Sequence, residues 1–122
     1  MATIASVNTN LNNAFDKGHL TQWTPLTFSG LDVGAVMEQF GEADRSVQVV
    51  GTFGVGGTVL IEGSNDGTNF STLKDHLGVA LSITTSGILS VDQIVRYLRP
   101  RVTAGDTNTS LTITVLSRRV AP

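Results

Sequence analysis

The sequence has no cysteine, two histidines, three prolines and one tryptophan. Without cysteine there is no disulfide framework, no thiolate metal site and no thiol nucleophile. Charge is sparse, at 15% of residues, and sums to −2. Nucleic-acid-binding domains carry a basic excess, so no nucleic-acid partner is expected. Uninterrupted apolar runs stay as short as Val59-Leu60-Ile61, against the roughly 20 residues that a membrane-spanning helix needs. Residues Met1 to Asn8 lack the basic and apolar regions of a secretory signal. A chain made in the cytoplasm, with no membrane partner, is expected.

What is abundant is hydroxyl and β-branched: 16 Thr, 14 Val and 10 Ser, with 13 Gly. These residues favour pleated strands and turns rather than helices. At 122 residues one core is expected, large enough to fold without staples. Arg45–Phe53 alternates Val47, Val49, Gly51 and Phe53 against Gln48, Val50 and Thr52, the period of a half-buried strand. Gly54-Val55-Gly56-Gly57 then reads as a hairpin loop leading into Thr58–Gly63. Ser64–Asn69 is a polar turn with Gly67 where a positive φ is needed. Phe70–Leu73, Val79–Ile83, Ile88–Val91, Ile94–Thr103 and Ser110–Arg118 complete a set of short strands. His19–Phe28 contains Pro25, which suggests an edge strand, and Ala35–Phe40 favours a strand over a helical turn. The pattern predicts an all-β protein, an antiparallel β-sandwich over residues 20–122. Residues 1–19 are polar and Asn-rich, with Leu11 and Phe15 as their apolar anchors. They read as an extended N-terminal arm.

Charge divides along the chain. Residues 1–92 hold nine acids and three bases, net −6, and residues 93–122 hold five arginines and Asp106, net +4. One basic edge on an otherwise acidic domain is expected. In Arg96-Tyr97-Leu98-Arg99-Pro100-Arg101, strand periodicity puts Tyr97, Arg99 and Arg101 on one face. Pro100 cannot donate to a ladder and predicts an edge or a bulge. These arginines, with Arg118 and Arg119, either pair with the acidic body or form a patch for another subunit. Leu11, Phe15, Arg96, Arg99, Arg101, Arg118 and Arg119 are therefore the candidate interface residues.

No pattern singles out an enzyme, a cofactor or a metal. Gly54-Val55-Gly56 lacks the third glycine and the helix of a dinucleotide fingerprint. His19 and His76 are far apart in sequence and have no cysteine to join in a zinc site. Asp106-Thr107-Asn108 opens like a calcium loop but has Leu111 where the glycine belongs and Ser117 where the closing glutamate belongs. A hairpin turn explains it better.

Two resemblances remain. Ile61–Leu73, with its Gly63-Ser64-Asn65-Asp66-Gly67-Thr68-Asn69 turn, and Arg96–Val102 resemble segments of discoidin-type, galactose-binding-like domains. That implies a jelly-roll sandwich and leaves the ligand open. More broadly, Ala43–Val49, Gly51–Gly54, the Gly63–Leu73 turn, Arg96–Val102 and Ser110–Val115 are similar in order to small tailed-bacteriophage virion proteins. This implies a capsid cement or decoration protein on the virion surface, with the major capsid protein as partner and a homo-oligomer, dimer or trimer, as the state. A carbohydrate- or receptor-binding module, or a tail or baseplate component, is the alternative.

Overall fold

The computed structural model describes residues 3–12, 17–28, 32–38 and 44–118. Twelve strands run in chain order: β1 Thr3–Ile4, β2 Ser6–Asn12, β3 Lys17–Thr27, β4 Val33–Gly34, β5 Met37–Glu38, β6 Asp44–Thr52, β7 Thr58–Ser64, β8 Ser71–Thr72, β9 Ser82–Ile83, β10 Gly87–Ser90, β11 Tyr97–Ala104 and β12 Ser110–Arg118. They form two sheets. The five-stranded sheet has the order β10-β6-β12-β3-β2; the seven-stranded sheet follows β1-β4-β11-β7-β8, with β5 also on β11 and β9 also on β7.

The connectivity is that of a jelly roll. β3 pairs with β12 in one sheet, β4 and β5 with β11 in the other, β6 with β10 in the first, and β7 with β8 and β9 in the second. The chain thus behaves as one long antiparallel ribbon that changes sheet at every step. The expected β-sandwich is what the chain forms, antiparallel throughout the described residues except where β1 runs parallel to β4.

The core lies between the sheets. Val47 and Val49 of β6, Leu111, Ile113 and Val115 of β12, and Trp23 and Leu26 of β3 face Val59 and Ile61 of β7 and Leu98 and Val102 of β11. The runs show the two-residue period that sequence reading relies on, except in β3, where a register skip leaves Trp23 and Leu26 three residues apart on one face. The turns also match. Gly54, Gly56 and Gly67 have φ of 69°, 72° and 79°, which only glycine adopts freely.

Four expectations need correction. First, residues 3–12 do not project as a separate arm. β2 adds to the free side of β3 over seven register pairs, and β1 adds to β4, so this segment closes one side of both sheets. The boundary drawn at residue 19 falls inside β3. Backbone hydrogen bonding needs no apolar side chains, so an Asn-rich strand can hold this place. Second, β3 is not an edge strand. Pro25 sits where the β3–β12 register skips, beyond the reach of β2, so its missing N–H breaks no ladder. Third, β11 is interior, and the irregularity expected at Pro100 lies in its neighbours. The register passes from Leu98↔Met37 to Arg101↔Val33, setting Arg99 and Pro100 against Gly34, Ala35 and Val36. Fourth, the arginines of the expected basic edge are paired with carboxylates of the acidic segment, as described below. Phe15, Arg119, Phe40 at the end of the expected Ala35–Phe40 strand, and Ala43 at the start of the Ala43–Val49 segment lie outside the described residues.

Candidate functional site

The predicted arginine row forms on the outer face of the seven-stranded sheet. Leu98, Pro100 and Val102 turn inward, while Tyr97, Arg99 and Arg101 turn outward. Cross-strand pairing sets Arg99 opposite Glu62 of β7. Arg99 Nε donates to Glu62 Oε1 at 3.0 Å, and Arg101 Nη1 to Glu62 Oε2 at 3.4 Å. The Glu62 side chain is only 6% exposed, so these two contacts supply the charge compensation its burial requires. Arg99 also lies 3.9 Å above the centre of the Phe70 ring.

Arg96 stands just before β11. It pairs with Glu38 at 3.2 Å and lies 5.2 Å from the Tyr97 ring centre. At the far end of β12, Arg118 meets Asp44 of β6 at 3.5 Å. The four described candidate arginines therefore each meet a carboxylate from the first 92 residues. Folding interleaves the two charge blocks, and three carboxylates, Glu38, Glu62 and Asp44, pair with these four arginines. Leu11 lies on β2 opposite Gly18, half-buried. The structure brings Arg96, Arg99 and Arg101 together and sets Arg118 and Leu11 on the other sheet.

The Glu62 triad gives a direct test. Glu62→Gln leaves two arginines without their carboxylate, at a cost of about 2 kcal/mol, less than for a fully buried pair because Arg101 reaches solvent. Urea unfolding should show the loss, and Arg101→Ser should cost much less in the Glu62→Gln background than alone.

Two polar residues escaped the sequence reading. Glu62 was one, although its place on a strand opposite the arginine strand could have suggested it. Arg45 was the other. It shares the parity of Val47 and Val49, so alternation alone sends it inward. It is 7% exposed, and Nη2 donates to the Gln93 carbonyl beneath the β10–β11 connection. Among the described residues Nε and Nη1 have no partner, and burial lowers the pKa of the group.

The loops hold their own carboxylates. Asp66 accepts from the Thr68 and Asn69 N–H groups, both at 2.8 Å, and from the Asn69 amide, which holds its carboxyl well below the usual range. Asp106 accepts from Val55 N and Asn108 N, and those bonds likewise lower its pKa. Thr109 Oγ1 donates to the Phe53 carbonyl at 2.7 Å, so Asp106 and Thr109 join the hairpin loops 53–57 and 105–109. The near-calcium motif is thus a turn whose carboxylate is committed to backbone. Among the described residues no group of three His, Asp or Glu is arranged to hold a metal.

The outer face of the five-stranded sheet is built differently. One row crosses every strand: Val7, Gln22, Thr114, Gln48 and Ile88. The next reads Thr9, Leu20, Leu116, Ser46 and Ser90. Beyond the first row, Thr24 and Thr112 share a 2.7 Å hydroxyl contact and Val50 lies beside Thr112. Charge enters only at one end, with Asp44 and Arg118. Gln22 and Thr114 are hydrogen-bonded at 3.2 Å. The result is a broad, uncharged face.

No protein-family model, no curated protein and no solved structure matches this chain. The surface geometry is therefore the basis for a functional reading. It offers two extended sheet faces of opposite character, one of compensated ion pairs and one neutral. The aromatic side chains among the described residues are already engaged, Phe28 and Phe53 against the core. Trp23 is fully buried and donates to the Ala35 carbonyl at 2.9 Å. Phe70 and Tyr97 carry arginines.

Proposed function

We propose that this protein is a non-enzymatic virion component, a decoration or cement protein that binds the outer surface of a capsid and strengthens the shell. The observation that carries the reading is the uncharged outer face of the five-stranded sheet. Charged groups on a surface must be desolvated or matched when another protein covers them. A face of Thr, Gln, Ser and single aliphatic residues avoids that cost and can lie against a broad protein surface. The similarity in motif order to tailed-phage virion proteins supports the same reading. One such contact can be weak. Many copies on a lattice, each bridging major capsid protein subunits, add their binding free energies to the cost of opening the shell.

A carbohydrate- or receptor-binding role has less support, because sugar platforms use exposed aromatic rings and Trp23 is in the core. Copy number and position in purified particles test the proposal: hundreds of copies on the head support it, a few copies at the tail overturn it. A Thr112→Arg/Thr114→Arg variant should keep its fold and lose shell occupancy at least about tenfold, the effect of roughly 1.4 kcal/mol per contact. Undiminished occupancy would remove the neutral face from the mechanism.

A further inference from the structure

We infer that the open edge at β10 is a two-fold interface between copies of this chain, joining two five-stranded sheets into one continuous sheet. The inference goes beyond the shell-binding reading above and does not depend on it. β10 is the last strand of its sheet and pairs only with β6. Among the described residues, no backbone group takes up its other side. Natural sheets guard such edges with lysine, proline, bulges or a covering segment. Gly87-Ile88-Leu89-Ser90 has no charge and no proline, and its register with β6 runs without a skip.

Apolar exposure gathers at the same place. Ile88 is 64% exposed and Leu89 41%. Leu89 faces a groove that also contains Val79, 58% exposed, with the His76–Asp92 pair at its rim, and Leu77 is 76% exposed in the turn beside it. On the opposite edge of the sheet, β2 sets Asn8 and Asn10 among its described residues.

A second copy fits this edge better than a foreign strand because the edge complements itself. A two-fold axis perpendicular to the sheet keeps outward residues outward. Ile88 then meets an outward residue of the second copy, and the row ending in Ile88 continues across the axis. The strand itself is neutral, so the approach sets no like charges on it against each other. An isologous contact uses the edge once on each copy, and assembly stops at two.

The test uses free full-length protein, away from any shell, so it stands apart from capsid binding. Sedimentation should show wild type as a concentration-dependent dimer. Ile88→Lys and Ile88→Glu place a like-charged pair near the axis and should each weaken the dimer by about 100-fold or more, while circular dichroism of the monomeric variants still shows the folded sandwich because the side chain is solvent-facing. A one-to-one mixture of I88K and I88E should regain the dimer mass. A wild-type monomer at millimolar concentration overturns the inference. So do dimers that persist in both variants, a mixture that stays monomeric, or growth into larger oligomers through a β2-to-β10 contact. Shell binding by a monomeric wild type would leave the proposed function standing and remove only this interface.

Discussion

Trp23→Ala is expected to destabilise the domain by about 3–5 kcal/mol, the usual cost of truncating a fully buried aromatic. Small domains hold only about 5–15 kcal/mol in total, so this variant should sit near the limit of folding. The indole does two jobs. It fills the space between β3 and β4, where Gly34 leaves room for it: a Cβ at Gly34 would come within 2.8 Å of the Trp23 ring and 2.6 Å of Pro100. Its N–H also satisfies the Ala35 carbonyl in the interval between β4 and β5. Trp23→Phe keeps part of the volume and loses the hydrogen bond, so a smaller loss of about 1–2 kcal/mol is expected. Urea unfolding followed by circular dichroism measures both, since this is the only tryptophan and its fluorescence disappears with it. A loss below 1 kcal/mol for Trp23→Ala would contradict the core placement and revive an exposed aromatic platform for sugars.

Deleting residues 1–12 is expected to lower the melting temperature by about 10 °C, corresponding to roughly 3 kcal/mol for a domain of this size. A dispensable arm would predict no change. The deletion removes the seven β2–β3 register pairs, the β1–β4 pair and the 2.8 Å bond from Ala35 N to the Ile4 carbonyl. It also takes Ile4 away from the core it packs against. The long side of β3 is then left as an open edge, so the shortened protein should aggregate on heating. Val7→Thr is the matching control. Val7 is 65% exposed, and its replacement should shift the melting temperature little, because the backbone of β2 provides the attachment. A deletion variant that melts like wild type would mean the pairing contributes nothing.

Much of the fold was legible because the two-residue period is a local property. Val47 and Val49, or Leu111, Ile113 and Val115, declare their buried face without reference to any neighbour. The turns at Gly54–Gly57 and Ser64–Asn69 were readable for the same reason, since a positive φ is a demand on one residue. β2 was not readable. Its residues are held through backbone groups that every sequence shares, and its Asn side chains resemble those of a loop. The candidate interface was only partly legible. The shared outward face of Tyr97, Arg99 and Arg101 followed from period alone, but their partner Glu62 depends on which strand lies alongside.

The sequence by itself determined the all-β class, the strand faces, the turn glycines and the absence of thiol chemistry, each a consequence of local backbone and side-chain preference. Only the tertiary structure decided where the charges go. Strands distant in the chain become neighbours at about 4.8 Å, so Arg96, Arg99, Arg101 and Arg118 are laid against carboxylates of the acidic segment. Glu38, Glu62 and Asp44 of the acidic block become ion-pair partners of arginines from the basic one, on one face and at one end. Among the surfaces the described residues leave open for contact are the neutral face and the β10 edge, which exist only once strands distant in the chain lie side by side.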